Sequence, residues 1–135
     1  MTLRRADVEV MLKRGPPLGL NGQDLRGADL SGLDLTGADL AYARLDGTSF
    51  QRARLAGAVL WAATATGADF TGADLNHANL GTADLTGARL DGAVLRRASL
   101  LGTTLTGTSL TGADLTGADT TGATEEGGRP WSRSS

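Results

Sequence analysis

The sequence predicts an all-β solenoid, because a large apolar residue recurs at every fifth position from Leu20 onward and only Ala65 and Thr120 break the column. Two residues earlier the usual residue is Ala, and two residues later it is Gly. A helix repeats about every 3.6 residues and a flat strand about every 2, so this longer period fits neither. It fits a short extended piece followed by a bend, where Gly supplies the positive φ that a type II turn needs.

The first element is a short amphipathic helix predicted over residues 3–13. Thr2 can cap its first turn, and Gly15 with the two prolines after it can end it. Its apolar side chains are Leu3, Val8, Met11 and Leu12. Because the exposed end of a repeat array needs a cover, we interpret residues 1–17 as a capping helix and Pro turn rather than as a partner-binding helix.

The repeat region carries an Ala-Asp-Leu signature. It recurs as Ala28-Asp29-Leu30, Ala38-Asp39-Leu40, Ala73-Asp74-Leu75, Ala83-Asp84-Leu85 and Ala113-Asp114-Leu115. These units resemble the pentapeptide-repeat family, and the resemblance covers about residues 18–124. It implies a right-handed, four-sided parallel β-helix with four pentapeptides per coil and about five coils, so that residues twenty apart stack.

Stacking in this register makes predictions for the interior. Phe50 and Phe70 are predicted to lie one above the other. Thr103 and Thr108 occupy the slot of the small residue, and each hydroxyl is expected to bond a backbone carbonyl, because a buried unpaired hydroxyl is costly.

The same register groups the corners into columns. Tyr42, Ala62 and Thr82 share one column and cannot easily adopt positive φ, so this column is predicted to depart from type II turns. A second column, which contains Gly32, Gly72 and Gly92, is predicted to keep them. Positive φ at Tyr42 and Ala62 would therefore count against the registration.

Residues 125–135 form a C-terminal tail in this interpretation, since the period stops and Gly, Pro, Ser and charge take over. The last coil leaves unpaired backbone groups at its edge, and such an edge favours association. The resemblance implies the same, because family members commonly dimerise through their C-terminal coils. We predict a homodimer through this end, with a Trp131 lid as the alternative. The residues concerned are Leu105, Leu110, Leu115, Thr120 and Trp131.

The composition excludes several classes of protein. The chain has 135 residues, about 4% of them aromatic, and no cysteine, so Leu and Ala must form the core and a disulfide framework is excluded. This favours a cytoplasmic location. The first twenty residues lack the apolar run of a signal peptide, and no apolar stretch is long enough to predict a membrane span.

No catalytic residue, cofactor or metal site is predicted, and the chain is expected not to be an enzyme. Zinc sites need several histidines or cysteines, and a nucleophilic triad needs a histidine or cysteine in the company of its partner residues, whereas this chain has one histidine and no cysteine. That residue, His77, is expected to be a solvated corner residue below Arg97. The aspartates recur with the repeat on the outer walls, which explains them better than acid-base chemistry does.

The resemblance implies one alternative function, because some pentapeptide-repeat proteins mimic B-DNA and bind DNA gyrase, with fluoroquinolone resistance as the consequence. The coil region has seven Arg and eleven Asp, a net charge of 7 minus 11, or −4. A duplex about 25 Å long carries about 15 negative charges. Stacking also alternates sign along a wall, as in Asp34, Arg54 and Asp74. The charge therefore argues against mimicry, and direct nucleic-acid binding is not expected.

The favoured function is a non-catalytic structural or protein-binding module with an unknown protein partner. A rigid rod displays side chains on its faces and offers no cleft. One outer wall is predicted to gather apolar side chains, and a contiguous patch with Trp and Tyr favours a partner. This predicted contact patch contains Tyr42, Val59, Trp61, Ala62 and Leu101.

Overall fold

The main feature of the fold is a ladder of parallel β-bridges between residues twenty apart. The structure, a computed structural model, describes residues 1–15 and 18–133. The ladder begins with Gly19 paired to Asp39 and continues to Thr104 paired to Thr124. Each pairing is an isolated bridge, and the described residues contain no longer strand. The chain therefore returns to the same wall every twenty residues, as the resemblance implies.

A tight turn separates each bridge position from the next. In the unit around Leu40, the Ala43 amide donates to the Leu40 carbonyl at 3.1 Å, which closes the turn. In most units the third turn residue is Gly, and Gly32, for example, has φ 70°. Its amide donates to the Gln51 carbonyl of the next coil at 2.9 Å. Each corner from Gly22 to Gly102 is therefore bonded within its own turn and to the neighbouring coil.

At some corners a residue other than Gly adopts this left-handed conformation, and the prediction for one column of such corners was wrong. Tyr42, Ala62 and Thr82 have φ values of 59°, 57° and 54°, although their column was expected to depart from type II turns. The ladder keeps the registration all the same, because Asp39 pairs with Val59. The physical reason is that the amides of these three corners bond the next coil, as Tyr42 does to the Trp61 carbonyl at 2.9 Å. A different turn would break this bond.

The remaining non-glycine residues with positive φ are Arg52, His77 and Arg97. Gly32, Gly72 and Gly92 adopt φ values of 67–70°, as predicted for their column. Arg52 stands in that same column with φ 57°.

The core consists of the central apolar side chains and the small residues two positions before them. The central side chains from Leu20 to Leu105 are buried, including Ala65. The rings of Phe50 and Phe70 stack with centroids 4.9 Å apart and planes 8° from parallel, which confirms that prediction.

Three buried or half-buried threonines bond the backbone inside the coil. The Thr103 hydroxyl donates to the Leu80 carbonyl at 2.7 Å, and the Thr108 hydroxyl donates to the Leu85 carbonyl at the same distance. Both bonds confirm the prediction from the sequence. Thr48, which the sequence analysis did not single out, makes an equivalent bond to Leu25 at 2.7 Å.

The N-terminal helix, α1, spans Arg5–Leu12 and is shorter than the predicted 3–13. Its N-cap is Arg4, whose amide donates to the Asp7 carboxylate at 2.8 Å, so the expectation of a Thr2 cap was wrong. Thr2 instead pairs with Asp24, and the Leu3 amide donates to the Asp24 carbonyl at 2.7 Å. Pairing with the first coil keeps these two residues extended, which delays the start of the helix.

Helix α1 packs on the first coil through its apolar side. Val8 is fully buried, and Met11 and Leu12 are partly buried against the core. Gly15 has φ 92°, as expected for a residue that ends a helix. Pro16 and Pro17, which were predicted to stop the helix, lie outside the described residues.

The C-terminal tail turns back on the coil through a short 3₁₀ helix, Glu126–Gly128. The Glu125 amide donates to the Arg129 carbonyl at 2.8 Å, and Pro130 forms an antiparallel bridge with Thr124. The Trp131 amide then donates to the Ala123 carbonyl at 2.9 Å. The described part of the tail thus adds a short pairing to the last coil.

Candidate functional site

The predicted contact patch lies at and beside one corner of the coil, which we call the apolar corner. Three backbone bonds place its residues in neighbouring coils: Tyr42 to Trp61, Ala62 to Gly81, and Thr82 to Leu101, at 2.7–2.9 Å. The corner comprises Tyr42, Val59, Trp61, Ala62 and Leu101. The structure places Tyr42, Trp61, Ala62 and Leu101 at this corner in neighbouring coils, whereas Val59 lies on the adjoining wall, where it pairs with Asp39 and Asn79.

Exposure distinguishes this corner from the rest of the surface. Tyr42 is 65% exposed and Leu101 is 40% exposed, whereas Trp61 between them is half-buried. Across the described residues the other exposed large apolar side chains are Met1 and Val10, at the N-terminal end. The coil thus concentrates its exposed large apolar side chains at one place.

Trp61 is held against the coil by a glycine that the sequence analysis missed. A Cβ atom on Gly81 would lie 2.3 Å from Cζ3 and 2.4 Å from Cε3 of Trp61, so the ring covers this glycine. Gly81 is buried and stands at the first turn position, where no other unit has Gly. A glycine twenty residues after the tryptophan was the signal in the sequence. Because the glycine is displaced by one position, Thr82 takes the left-handed conformation in its place.

The wall aspartates are engaged by their own turns. In the unit around Leu35, the Asp34 Oδ1 accepts the Thr36 amide at 3.1 Å and the Thr36 hydroxyl at 2.6 Å. The hydroxyl and amide bonds lower the pKa of Asp34, and the equivalent bonds from Thr116 lower the pKa of Asp114. The bonds from the Arg26 side chain and amide lower the pKa of Asp24 still further. These carboxylates therefore stabilise turns in the ionised form.

The remaining charged side chains of the coil pair with one another in a few places. The described residues contain no group of His, Cys, Asp and Glu that could hold a metal ion. Arg54 forms no ion pair with Asp34 or Asp74 in the described chain, although the stacking places them on adjacent rungs. The ion pair of Arg96 with Asp114, at 2.8 Å, is one that the coil does form.

The C-terminal end of the coil is only partly covered. Leu105 is buried, whereas Leu110, Leu115 and Thr120 are half-buried. Within the described chain, the amides of these three half-buried residues donate no backbone hydrogen bond. Trp131 packs against the core here, beside a cleft of about 640 Å³ that it lines with Leu110, Leu115 and others.

Arg133 also contacts this end, since its guanidinium donates to the Leu115 carbonyl at 2.8 Å. Arg5 does the same at the opposite end, where it donates to the Ser31 carbonyl at 2.8 Å and the Asp29 carbonyl at 3.2 Å. Arg5 therefore satisfies carbonyls at the N-terminal edge that have no preceding coil to bond, whereas the Leu115 carbonyl also accepts the Ala118 amide of its own turn at 2.9 Å.

The repeat geometry agrees with a comparison to known families. A family model described as pentapeptide repeats matches the chain over residues 20–52, 43–81, 53–92 and 83–122. The chain belongs to the pentapeptide repeat family. Its repeat region accounts for the ladder, the corners and the apolar core described above. No match was found among curated proteins.

Solved pentapeptide repeat proteins are similar in structure. Rfr23 from the cyanobacterium Cyanothece 51142 aligns over 93% of this chain and 96% of its own, with a TM-score of 0.52 and 24% identity. A pentapeptide repeat protein of the Arabidopsis thaliana thylakoid lumen is 30% identical, over 83% of this chain and 73% of its own, with a TM-score of 0.47. The likeness to Rfr23 shows the β-helical fold of the family.

A third solved structure is full-length QnrB1, a plasmid-mediated fluoroquinolone resistance protein. It is 20% identical, and the alignment covers 74% of this chain and 64% of that protein, with a TM-score of 0.35.

None of the helices in the described residues is long and apolar enough to span a membrane.

Proposed function

We propose that this pentapeptide repeat protein is a non-catalytic protein-binding module whose partner contacts the apolar corner. The observation that carries the proposal is the exposure of Tyr42 and Leu101 on either side of Trp61, at one corner of stacked coils. Burying such a contiguous apolar set against a partner removes it from water, and Trp and Tyr are the side chains that most often dominate interfaces.

The rigidity of the corner supports this role. Backbone bonds of 2.7–2.9 Å join each of its coils to the next, and the Trp61 ring already rests on Gly81. A surface that is ordered before binding loses less conformational entropy on binding. The corner therefore needs little rearrangement to dock a protein.

The proposal also covers the handedness and coil number of the β-helix, the role of α1 and the cellular location. We propose a right-handed, four-sided β-helix of about five coils with α1 as the cover of its N-terminal end, in a cytoplasmic protein. The likeness to Rfr23 supports the handedness and shape at the level of the fold. Buried Val8 and the bonds from Arg5 to the first coil support the covering role of α1.

A homodimer through the C-terminal end is proposed as a second contact. The half-buried Leu110, Leu115 and Thr120, with their open amides, support it, because an uncovered edge is a template for association. A two-fold contact between identical ends closes on itself. Trp131 and Arg133 cover part of the same edge, which supports the alternative in which the tail is a lid.

DNA mimicry directed at gyrase has weaker support. The coil region carries a net charge of 7 minus 11, or −4, whereas a duplex of similar length carries about 15 negative charges. Its aspartates also face their own turn amides, as Asp34 does. Titrating gyrase supercoiling with the protein at micromolar concentration tests this alternative directly, and inhibition there would overturn our preference.

Site-specific photo-crosslinking tests the apolar corner. A photoreactive phenylalanine analogue at position 42 is expected to crosslink a specific protein in cells, and Trp61→Ser is expected to abolish that crosslink. The matched control carries the analogue at position 52, a corner residue with the same left-handed conformation at the opposite corner of the proposed four-sided coil. Equal crosslinking from both positions, or a crosslink that survives Trp61→Ser, would contradict the proposal.

A further inference from the structure

We propose that a second corner of the coil binds the phosphate group of a small anionic ligand. A cavity of about 340 Å³ opens there between neighbouring coils, and we call it the basic corner. It is lined by Asn76, His77, Arg96, Arg97 and Thr116. Its volume lies at the lower end of the range for small-molecule sites, about 300–1,000 Å³, and the cavity is open to solvent, since His77, Arg96, Arg97 and Thr116 are exposed.

The charges of the basic corner favour an anion. In the described part of the chain, the side chains of Arg97 and His77 make no hydrogen bond or ion pair with the protein, so both are available to a ligand. Arg96 is partly neutralised, because its Nε donates to Asp114 at 2.8 Å. The uncompensated charge is therefore that of the Arg97 guanidinium, whose planar set of donors matches phosphate oxygens.

The carboxylates of the neighbouring aspartates accept hydrogen bonds from residues of their own turns. The Asp74 Oδ1 accepts the Asn76 amide at 3.0 Å, and the Asp114 Oδ1 accepts the Thr116 hydroxyl at 2.6 Å. Both carboxylates are thus held in place by hydrogen bonds from residues that line the cavity. The Asn76 side chain remains able to donate to an anion through its NH₂ group.

The backbone places these two side chains next to each other in one corner column. His77 and Arg97 follow each other in one corner column with φ values of 60° and 56°, whereas Gly57 and Gly117 occupy the same column in the coils on either side. A side chain in the left-handed conformation is strained, and Gly is not. The chain accepts this strain at two adjacent corners, and both side chains line the same cavity.

The strain also suggests the test, because replacing either residue with Gly gives that corner the residue found at Gly57 and Gly117 in the same column. Isothermal titration calorimetry with inorganic pyrophosphate, at low ionic strength and on the full chain, is expected to show binding to the wild type. Arg97→Gly is expected to weaken binding by at least about tenfold, and His77→Gly by a smaller factor. Both variants are expected to unfold at the same temperature as the wild type or higher, so loss of binding would not reflect loss of the fold.

Arg52→Gly is the matched control. It removes one arginine from another left-handed corner, with φ 57°, outside the basic corner. It is expected to leave pyrophosphate affinity within about twofold of the wild type. No binding by the wild type at millimolar pyrophosphate would overturn the proposal, as would an equal loss in Arg52→Gly and Arg97→Gly, which would mean that net charge alone attracts the anion.

Discussion

At the scale of single residues, the fit of the Trp61 ring over Gly81 depends on the absence of one side-chain atom. Gly81→Ala would place a Cβ atom 2.3 Å from the ring, which is too close for any packing, so the ring must swing toward solvent. We expect red-shifted emission from Trp61 and a loss of about 1–3 kcal/mol in the free energy of unfolding.

Gly19→Ala is the control for that prediction, because a Cβ atom there meets nothing within 4 Å. It is expected to change neither the emission nor the stability by a comparable amount. Unchanged fluorescence in Gly81→Ala would show that the ring does not rest on the glycine in solution.

A second residue-scale prediction concerns the buried hydroxyl of Thr103. Thr103→Val keeps the shape of the side chain and removes the donor to the Leu80 carbonyl, which then retains only the turn bond from the Ala83 amide. The free energy of unfolding in urea is expected to fall by about 1–2 kcal/mol. Thr104→Val, on the outer wall beside it, is expected to stay within about 0.5 kcal/mol of the wild type. Equal effects at both positions would contradict a role for the internal bond.

At the scale of the repeating element, each pentapeptide combines a bridge, a turn and a carboxylate that bonds the turn. The hydroxyl and amide bonds lower the pKa values of Asp29, Asp34 and Asp114 in the folded chain. A lowered folded pKa means that these groups stabilise the fold above their unfolded pKa, about 3.9, and that this contribution is lost as the pH falls.

We therefore expect a melting temperature that is nearly constant above about pH 5 and declines progressively below about pH 4. Asp34→Asn should retain the turn bond without titrating, as Asn79 already does by accepting the Gly81 amide at 2.9 Å. Its melting temperature is expected to depend less on pH than that of the wild type. A melting temperature that stays constant down to pH 2 would contradict this account.

The repeating element also shows where prediction from sequence succeeded and where it could not. The period located the Phe50 and Phe70 pair and the Thr103 bond, because stacking by twenty depends only on spacing. The corners at Tyr42 and Ala62 were predicted wrongly, because intrinsic φ preference is local and the bonds between coils override it. The spacing alone also could not show that Thr2 would pair with Asp24 and so shift the start of α1.

The candidate site could likewise be predicted from the sequence only in part. The period places Tyr42, Trp61 and Leu101 in neighbouring coils, whereas the contact of Trp61 with Gly81 depends on how one ring folds over the next coil. The cavity beside Arg97 likewise depends on side-chain directions at two strained corners. Spacing therefore located the columns, and side-chain packing determined which of their members form a surface.

At the scale of the whole molecule, the two ends of the coil differ in how they are closed. The N-terminal end has a buried helix residue, Val8, and the bonds from Arg5. The C-terminal end has Trp131 and Arg133 over part of its edge, and leaves Leu110 and Leu115 half-buried. A partly open apolar edge favours burial against a second copy.

Deletion of residues 125–135 separates the two proposals for this end. If the coil edge itself is the interface, sedimentation is expected to give a dimer for both proteins, at twice the 13.8 kDa chain mass for the full-length protein and at twice its own smaller chain mass for the truncated one. Leu115→Lys is then expected to give monomers, because a charge at the half-buried edge opposes its burial, whereas Trp131→Ser should leave the dimer intact. A full-length monomer whose truncated form aggregates would instead identify the tail as the lid, with Trp131 and Arg133 shielding the edge that would otherwise associate.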